Sequence, residues 1–312
     1  MEFGDRILVT GARGLIGSAL VHELSAQGFT QVITPTHKEL DLSYQEWTEH
    51  FFSKTRIDYI FHCAGRVGGI LANSTEQYQF LYENIMIAAN VIAAAKRYGS
   101  KKLLFLGSSC IYPRLAGKEQ LIREDMLMSG PLEPTNEGYA IAKIVGLKLC
   151  QFLANQSQTK FVTAMLTNAY GPRDNFDLNR AHIIPAMMHR FHQAKKENAK
   201  AVEIWGTGSP VREFLHSRDV AKGLITIMLK HDTSDTINLG CGEGISVSTL
   251  AELMRKVVGL QADIVHDLSK PEGTPRKILN IDKITALGWK PETDLIEGLS
   301  ETYRWAVANN AI

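Results

Sequence analysis

The chain is poor in cysteine: Cys63, Cys110, Cys150 and Cys241 are the only four in 312 residues, and no two stand at disulfide-framework or metal-ligand spacing. This scatter excludes a disulfide scaffold and a cysteine zinc site, and free thiols imply a reducing, cytosolic compartment. Long apolar runs are missing too, and Glu2 and Asp5 occupy the start where a secretory leader would be basic, so no membrane partner is expected. Neither sign of charge dominates: 34 Lys and Arg against 33 Asp and Glu leave a net charge of +1. A balance of that kind lacks the footprint of a nucleic-acid-binding surface. Internal repeats and low-complexity segments are also absent.

What is present is a 45% hydrophobic chain long enough for one large α/β unit or two modest lobes. Lys102 to Pro113 reads KLLFLGSSCIYP, an apolar run that stops at Gly107 and delivers Ser108, Ser109 and Cys110. The run predicts a central strand buried on both faces, and in open α/β sheets ligands bind beyond the carboxyl ends of such strands. Thirty residues on, Glu137 to Lys143 (EGYAIAK) opens a helical stretch in which Tyr139 and Lys143 stand one turn apart on one face. A cation there is expected to lower the phenol's pKa and make Tyr139 a better proton shuttle. Tyr98 and Lys102 share the spacing, but Gly99 and Ser100 break the helix between them, and that pair is incidental.

Arg6 to Thr10 predicts a strand, Gly11-Ala12-Arg13-Gly14-Leu15-Ile16-Gly17 a glycine turn, and the residues to about Gln27 a helix. Strand, glycine turn and helix in that order suit a dinucleotide pyrophosphate held at a helix N-terminus. After the short strand Gln31 to Thr34, the place for an acid against the ribose hydroxyls holds Pro35-Thr36-His37-Lys38. An acid would repel a 2'-phosphate, so its absence, with Arg13, His37 and Lys38 nearby, favours NADP over NAD. Asp58 to His62 is a third strand ending in small residues. Ser74 to Arg97 reads as one long helix with Ile85, Met86, Ala88, Ala89, Ile92 and Ala95 on its apolar face. Phe161 to Leu166 is a further buried strand, after which the alternation loosens. His182, His189 and His192 fall on one helical face without a local carboxylate or cysteine to complete a metal site, and His189 and His192 suit a solvated face. No metal is expected.

A serine at a strand end followed by Tyr139 and Lys143 on the next helix resembles the short-chain dehydrogenase/reductase superfamily, in its extended, nucleotide-sugar-modifying branch. Within that branch KLLFLGSSCIYP, LEPTNEGYAIAKIVGLKLC, GPRDNF, WGTGSPVREFLH and SKPEGTPRK are together similar to the epimerase/reductase family acting on GDP-4-keto-6-deoxy-mannose. The resemblance implies a Rossmann-type doubly wound parallel sheet over residues 1–168, joined by part of 211–240, and a smaller α/β C-terminal substrate domain over 169–312. It implies a GDP-sugar substrate, NADPH as cofactor, and a homodimer built on the helices of Ile85 and Tyr139. Ser108, Tyr139 and Lys143 would serve the reduction, and Cys110 and His182 two epimerisations. Cofactor contacts would come from Gly11 to Gly17, His37, Lys38, Asp41, Leu42, Leu106, Gly107, Lys143, Leu166, Asn168, Ala169 and His182. Substrate contacts would come from Ser109, Asn168, Arg190, Trp205, Arg212 and Glu272, the last standing where the family usually has aspartate. His37 aligns with a family arginine. A relative making a colitose or heptose derivative carries the same features. A dehydratase would carry an acid pair where Ser109 and Cys110 stand, and a silent cofactor sensor would lack Tyr139 or Lys143.

From Arg13 and the missing acid after Val32 and Ile33, kcat/KM is expected to be higher with NADPH than with NADH. Equal values for the two cofactors would contradict the reading.

Overall fold

The computed structural model of the protein describes residues 1–114, 120–270 and 273–312. Its first strand, β1 (Ile7–Thr10), is buried at every position, as a strand covered on both faces must be. Gly11 then turns with φ +70°, a conformation that costs glycine little, and leads into α1 (Leu15–Ala26). A Cβ on Gly17 would lie 2.2 Å from the Gly11 carbonyl oxygen, so α1 can close on the turn only without a side chain there. The chain continues through β2 (Val32–Ile33), α2 (Gln45–Lys54), β3 (Tyr59–His62), α3 (Ile70–Thr75), α4 (Gln77–Arg97), β4 (Lys102–Ser108), α5 (Glu137–Ala154) and β5 (Lys160–Leu166).

Beyond β5 come β6 (Asn168–Tyr170), α6 (Ile183–Lys196), β7 (Ala201–Trp205), β8 (Val211–Arg212), β9 (Phe214–His216), α7 (Ser217–Lys230) and β10 (Thr236–Leu239). Last are β11 (Ile245–Ser246), α8 (Val247–Val258), β12 (Asp263–Asp267), β13 (Arg276–Lys277), α9 (Asp282–Ala286) and α10 (Leu295–Ala308). Six strands form one parallel sheet in the order β10-β5-β4-β3-β1-β2. The order reverses between β1 and β3, and at such a switch point the strand ends splay to leave a crevice. One face is covered by α1 and α7 through Leu20, Leu24, Val220, Leu224 and Ile227. The other is covered by α2, α4 and α5 through Phe52, Val91, Ile92, Ala95 and Cys150. This is the expected doubly wound α/β sheet.

A second, smaller core packs α6 (Met187, Met188, Phe191), β7 (Ile204), α8 (Leu250, Met254) and α10 (Leu299). Around it lie the parallel pairs β7–β12 and β6–β9 and the three-stranded sheet β11-β8-β13. Of the segment expected to return to the large sheet, β10 joins it beside β5 and α7 covers its face, whereas β8 and β9 stay with the smaller sheets. Lys102 is buried at the start of β4, and its Nζ donates to the carbonyls of Met228 (2.6 Å) and His231 (2.6 Å) and to Asp232 Oδ1 (2.9 Å). A lysine there satisfies the last carbonyls of α7 and pins that helix to the sheet.

One helical expectation is corrected. The stretch from Ser74 to Arg97 is two helices broken at Glu76, whose backbone (φ −121°, ψ 33°) closes α3 and starts α4. Its carboxylate pairs with Arg66 and, at 3.3 Å, with Arg180. Among the described residues, no helix is long and apolar enough to cross a membrane.

Gly146 lets α5 lie directly on β4, since a Cβ there would sit 2.4 Å from the buried ring of Phe105. Overpacking of that kind costs about 1–3 kcal/mol, against a helix-propensity gain of about 1 kcal/mol for alanine. Gly146→Ala is therefore expected to lower stability in urea unfolding, and an unchanged or raised midpoint would contradict the packing account.

Candidate active site

One cleft runs along the carboxyl ends of the strands and on between the two cores, and nearly all the candidate residues line it. Its cofactor half opens on the glycine turn. Gly14, the N-cap of α1, places no side-chain acceptor on the first-turn N–H groups, which leaves them as donors for a pyrophosphate. Arg13, His37, Asp41, Leu42, Leu106, Gly107, Leu166, Asn168 and Ala169 line the same cleft. These residues fit a dinucleotide: backbone donors at a helix end, small residues at close approach, and the Arg13 cation beside the glycine turn. Lys38 is exposed and does not line the cleft. The next residue, Glu39, accepts from the Thr36 N–H at 2.7 Å, and the hydrogen bonds from Thr36, with Arg13 as a smaller contributor, hold its carboxyl below the usual range.

At the end of β4, Ser108 stands beside Tyr139 in the cleft wall. Burial raises the phenol's pKa, the nearby Cys110 adds to the rise, and Ser108 opposes it. The expected lowering by Lys143 does not occur. The Lys143 ammonium donates to the Leu106 carbonyl at 2.9 Å and lies 5.6 Å from the centre of the phenol ring. Its own pKa falls to about 8 because burial penalises the charged form. Deep beside it, His62 is pushed down to about 3 by burial and then by Lys143, so its imidazole is neutral; Nδ1 meets Thr10 Oγ1 at 2.8 Å.

Cys110 is the middle residue of the short 3-10 turn Ser109–Ile111 that follows β4, and its N–H donates to Ser108 Oγ at 3.2 Å. Two donors reach its sulfur: Asn136 Nδ2 at 3.2 Å, from the turn just before α5, and Lys277 Nζ at 3.5 Å, from β13. His182 is the N-cap of α6 and faces the cleft, where its side chain is exposed; desolvation by the cleft walls, then Lys277, lowers its pKa. Lys277 thus acts on both the thiol and the imidazole. Sequence reasoning singled out neither Asn136 nor Lys277. Asn136 stands three residues before Tyr139 and Lys277 closes the string SKPEGTPRK, yet nothing local says that either would reach Cys110.

In the substrate half, Ser109, Arg190, Trp205 and Arg212 line the cleft. Trp205 lies between two cations, with Arg190 5.8 Å and Lys270 5.9 Å from its ring. Glu272 lies outside the described residues. His189 and His192 are not on a solvated face: both are half-buried, with Nδ1 of His189 on the Phe176 carbonyl at 2.7 Å and Nδ1 of His192 on the Tyr303 hydroxyl at 2.8 Å. They brace α6 against its surroundings.

Residues 7–240 match the model of the NAD dependent epimerase/dehydratase family. The chain is 50% identical to probable GDP-L-fucose synthase 1 of Oryza sativa subsp. japonica, covering 98% of this chain and 93% of that protein. It is 44% identical to GDP-L-fucose synthase of Escherichia coli (strain K12), over 98% of this chain and 97% of that one. Among solved structures, the GDP-L-fucose synthetase of Naegleria fowleri bound to NADP superposes with a TM-score of 0.90 at 26% identity, over 99% of this chain and 96% of that one.

The cysteines differ sharply in their surroundings. Burial pushes the Cys63 and Cys241 thiols up to about 12 and raises that of fully buried Cys150, whereas Cys110 lies in the cleft with an ammonium and an amide on its sulfur. Cys110 is thus expected to be the thiol that iodoacetamide modifies first, as read by peptide mass mapping. Prior labelling of Cys63 or Cys241 would contradict this assignment.

Proposed function

The chain belongs to the NAD dependent epimerase/dehydratase family, and from that footing we propose that it is a GDP-L-fucose synthase, converting GDP-4-keto-6-deoxy-mannose to GDP-L-fucose with NADPH. The observation that carries the reading is the joining of two sets of groups at the end of β4. A reduction set, Ser108, Tyr139 and Lys143, continues directly into a proton-transfer set, Cys110, His182 and Lys277. A reductase alone has no use for the second set.

The C4 ketone acidifies the hydrogens on C3 and C5, so one site can invert both centres before reduction removes that acidity. Inversion requires a proton to leave one face of the sugar and another to arrive on the opposite face, hence two groups that exchange protons near neutrality. Thiol and imidazole, with unperturbed pKa values of roughly 8.5 and 6.5, suit the task. His182, held neutral, is ready to accept a proton. Lys277 and Asn136 place positive charge and a donor at Cys110 Sγ, where negative charge develops when the thiol gives its proton. NADPH, when bound, supplies the hydride for C4. Tyr139 keeps its proton at neutral pH because it is buried, and it delivers that proton to the C4 oxygen while Ser108 positions the carbonyl. Lys143 holds the nicotinamide ribose.

The division of labour has a direct test. With GDP-4-keto-6-deoxy-mannose and NADPH in D2O, the wild type should place solvent deuterium at C3 and C5 and form the L-fuco product. A product of another configuration would identify a related 6-deoxy-sugar or heptose enzyme instead. Cys110→Ser and His182→Asn should lose deuterium exchange far more than hydride transfer, whereas Tyr139→Phe should lose reduction and keep NADP binding. Full exchange in both epimerisation variants would assign inversion to other groups.

The apolar faces of α4 and α5 support a homodimer across those helices, where Tyr82, Ile141 and Phe152 are exposed. Sedimentation at micromolar concentration should give twice the chain mass, and a monomer would rule it out.

A further inference from the structure

The cleft holds a carboxylate that the mechanism does not use. Asp174 follows β6 in the loop leading to α6 and lines the cleft, yet its Oδ2 is sealed from water and has no hydrogen-bond partner among the described residues. Oδ1 accepts from the Asn175 N–H at 2.7 Å. Burial pushes the carboxyl up to about 7, and no cation offsets the rise. The loop is firmly built around it. Arg173 adopts φ +67°, a left-handed conformation that is unfavourable for a residue with a side chain. Phe176 is anchored by stacking on Trp305 at 6.4 Å and by its carbonyl on His189.

The anchor also locates Asp174 along the cleft. Helix α6 starts at His182 beside the reacting sugar and reaches Arg190 eight residues later, about 12 Å on at 1.5 Å per residue. The contact of Phe176 with His189 sets the Asp174 loop at the Arg190 end, where Trp205 lies and where the Arg190 Nε is likewise buried without a partner. Other acids of this half are otherwise engaged. Glu133 pairs with Arg114 at 3.3 Å, and Glu203 is exposed and faces Arg190. A buried carboxylate without a counter-ion calls for neutral N–H or O–H donors, whereas the diphosphate is an acceptor suited to the arginines.

We infer that Asp174 is a specificity-determining residue of the nucleotide subsite, receiving the N1–H and 2-amino donors on the edge of the guanine base. This rests on the GDP-sugar reading. Guanine offers the two donors side by side, and adenine has neither; a site built around such donors discriminates strongly against analogues that lack them. Hypoxanthine keeps N1–H and loses the amino group.

Calorimetric titration of the full-length protein with GDP, IDP and ADP tests it. A hydrogen bond to a charged group is worth about 1.5–3 kcal/mol, so the wild type should bind GDP about 10-fold tighter than IDP and about 100-fold tighter than ADP. Asp174→Asn, with Asp174→Ala as a second variant, should bring GDP down toward the ADP level and leave ADP and NADP binding unchanged. Equal wild-type affinities for GDP and IDP would overturn the inference without any variant. A parallel loss for GDP and ADP would also overturn it, since ADP carries the same ribose and diphosphate. A wild type that binds UDP but not GDP would overturn the GDP-sugar reading itself.

Discussion

Everything at the junction of the two cores depends on one buried carboxylate, that of Glu213, between β8 and β9. The side chain is fully buried. Its oxygens accept from the backbone N–H groups of Cys241 (2.5 Å), Gly242 (2.6 Å) and Leu279 (3.1 Å). Burial alone would make such a charge very costly, and its pKa is raised; the three backbone donors offset part of that penalty. Removing them or the carboxylate would leave orphaned polar groups inside the protein. Glu213 thereby ties the end of β10 to the segment following β13. Its own carbonyl accepts from Asn168 Nδ2 at 3.0 Å. Asn168, Arg212 and Lys277 all lie within two residues of these anchored points, so the cleft inherits its shape from them.

A second constraint is burial around the reduction groups. Low polarity raises the Tyr139 phenol, lowers Lys143 to about 8 and keeps His62 uncharged. These shifts point the same way chemically: the phenol holds a proton to give, and the neighbouring imidazole adds no competing charge. The ammonium stays in place through the Leu106 carbonyl and the face of the Phe105 ring, 5.0 Å away, rather than through a carboxylate. That leaves its charge available to a bound ribose. Gly146 beneath the same ring lets the helix come close enough for this to happen.

Along the cleft, cations stand at separate places: Arg13 at the glycine turn, Lys277 at the Cys110 sulfur, and Arg190 and Lys270 at Trp205, with Arg212 also in the wall. With a net chain charge of +1, this is local placement rather than a general basic surface. The uncompensated carboxyl of Asp174 stands out against that pattern.

Periodicity and glycine placement were enough to read the α/β class, the glycine turn, the buried β4 and the Tyr139–Lys143 face, because each is a local pattern of a few residues. The string resemblance extended this to Ser108, Cys110, His182, Arg190, Trp205 and Arg212, all of which line the cleft. What stayed illegible depends on partners far along the chain. Glu76, where two helices part, is met by Arg66 and Arg180, and His189 and His192 leave solvent for Phe176 and Tyr303. Lys38 misses the cleft although it neighbours His37, since adjacent side chains of a turn diverge. The phenol's pKa followed the depth of its surroundings instead of the lysine one turn away. Sequence determined which chemical groups this protein owns and which strand ends carry them. Only the tertiary structure decided that Lys277, 167 residues from Cys110, reaches its sulfur, and that Asp174 Oδ2 is sealed without a partner among the described residues, because desolvation and through-space contact have no signature in the order of residues.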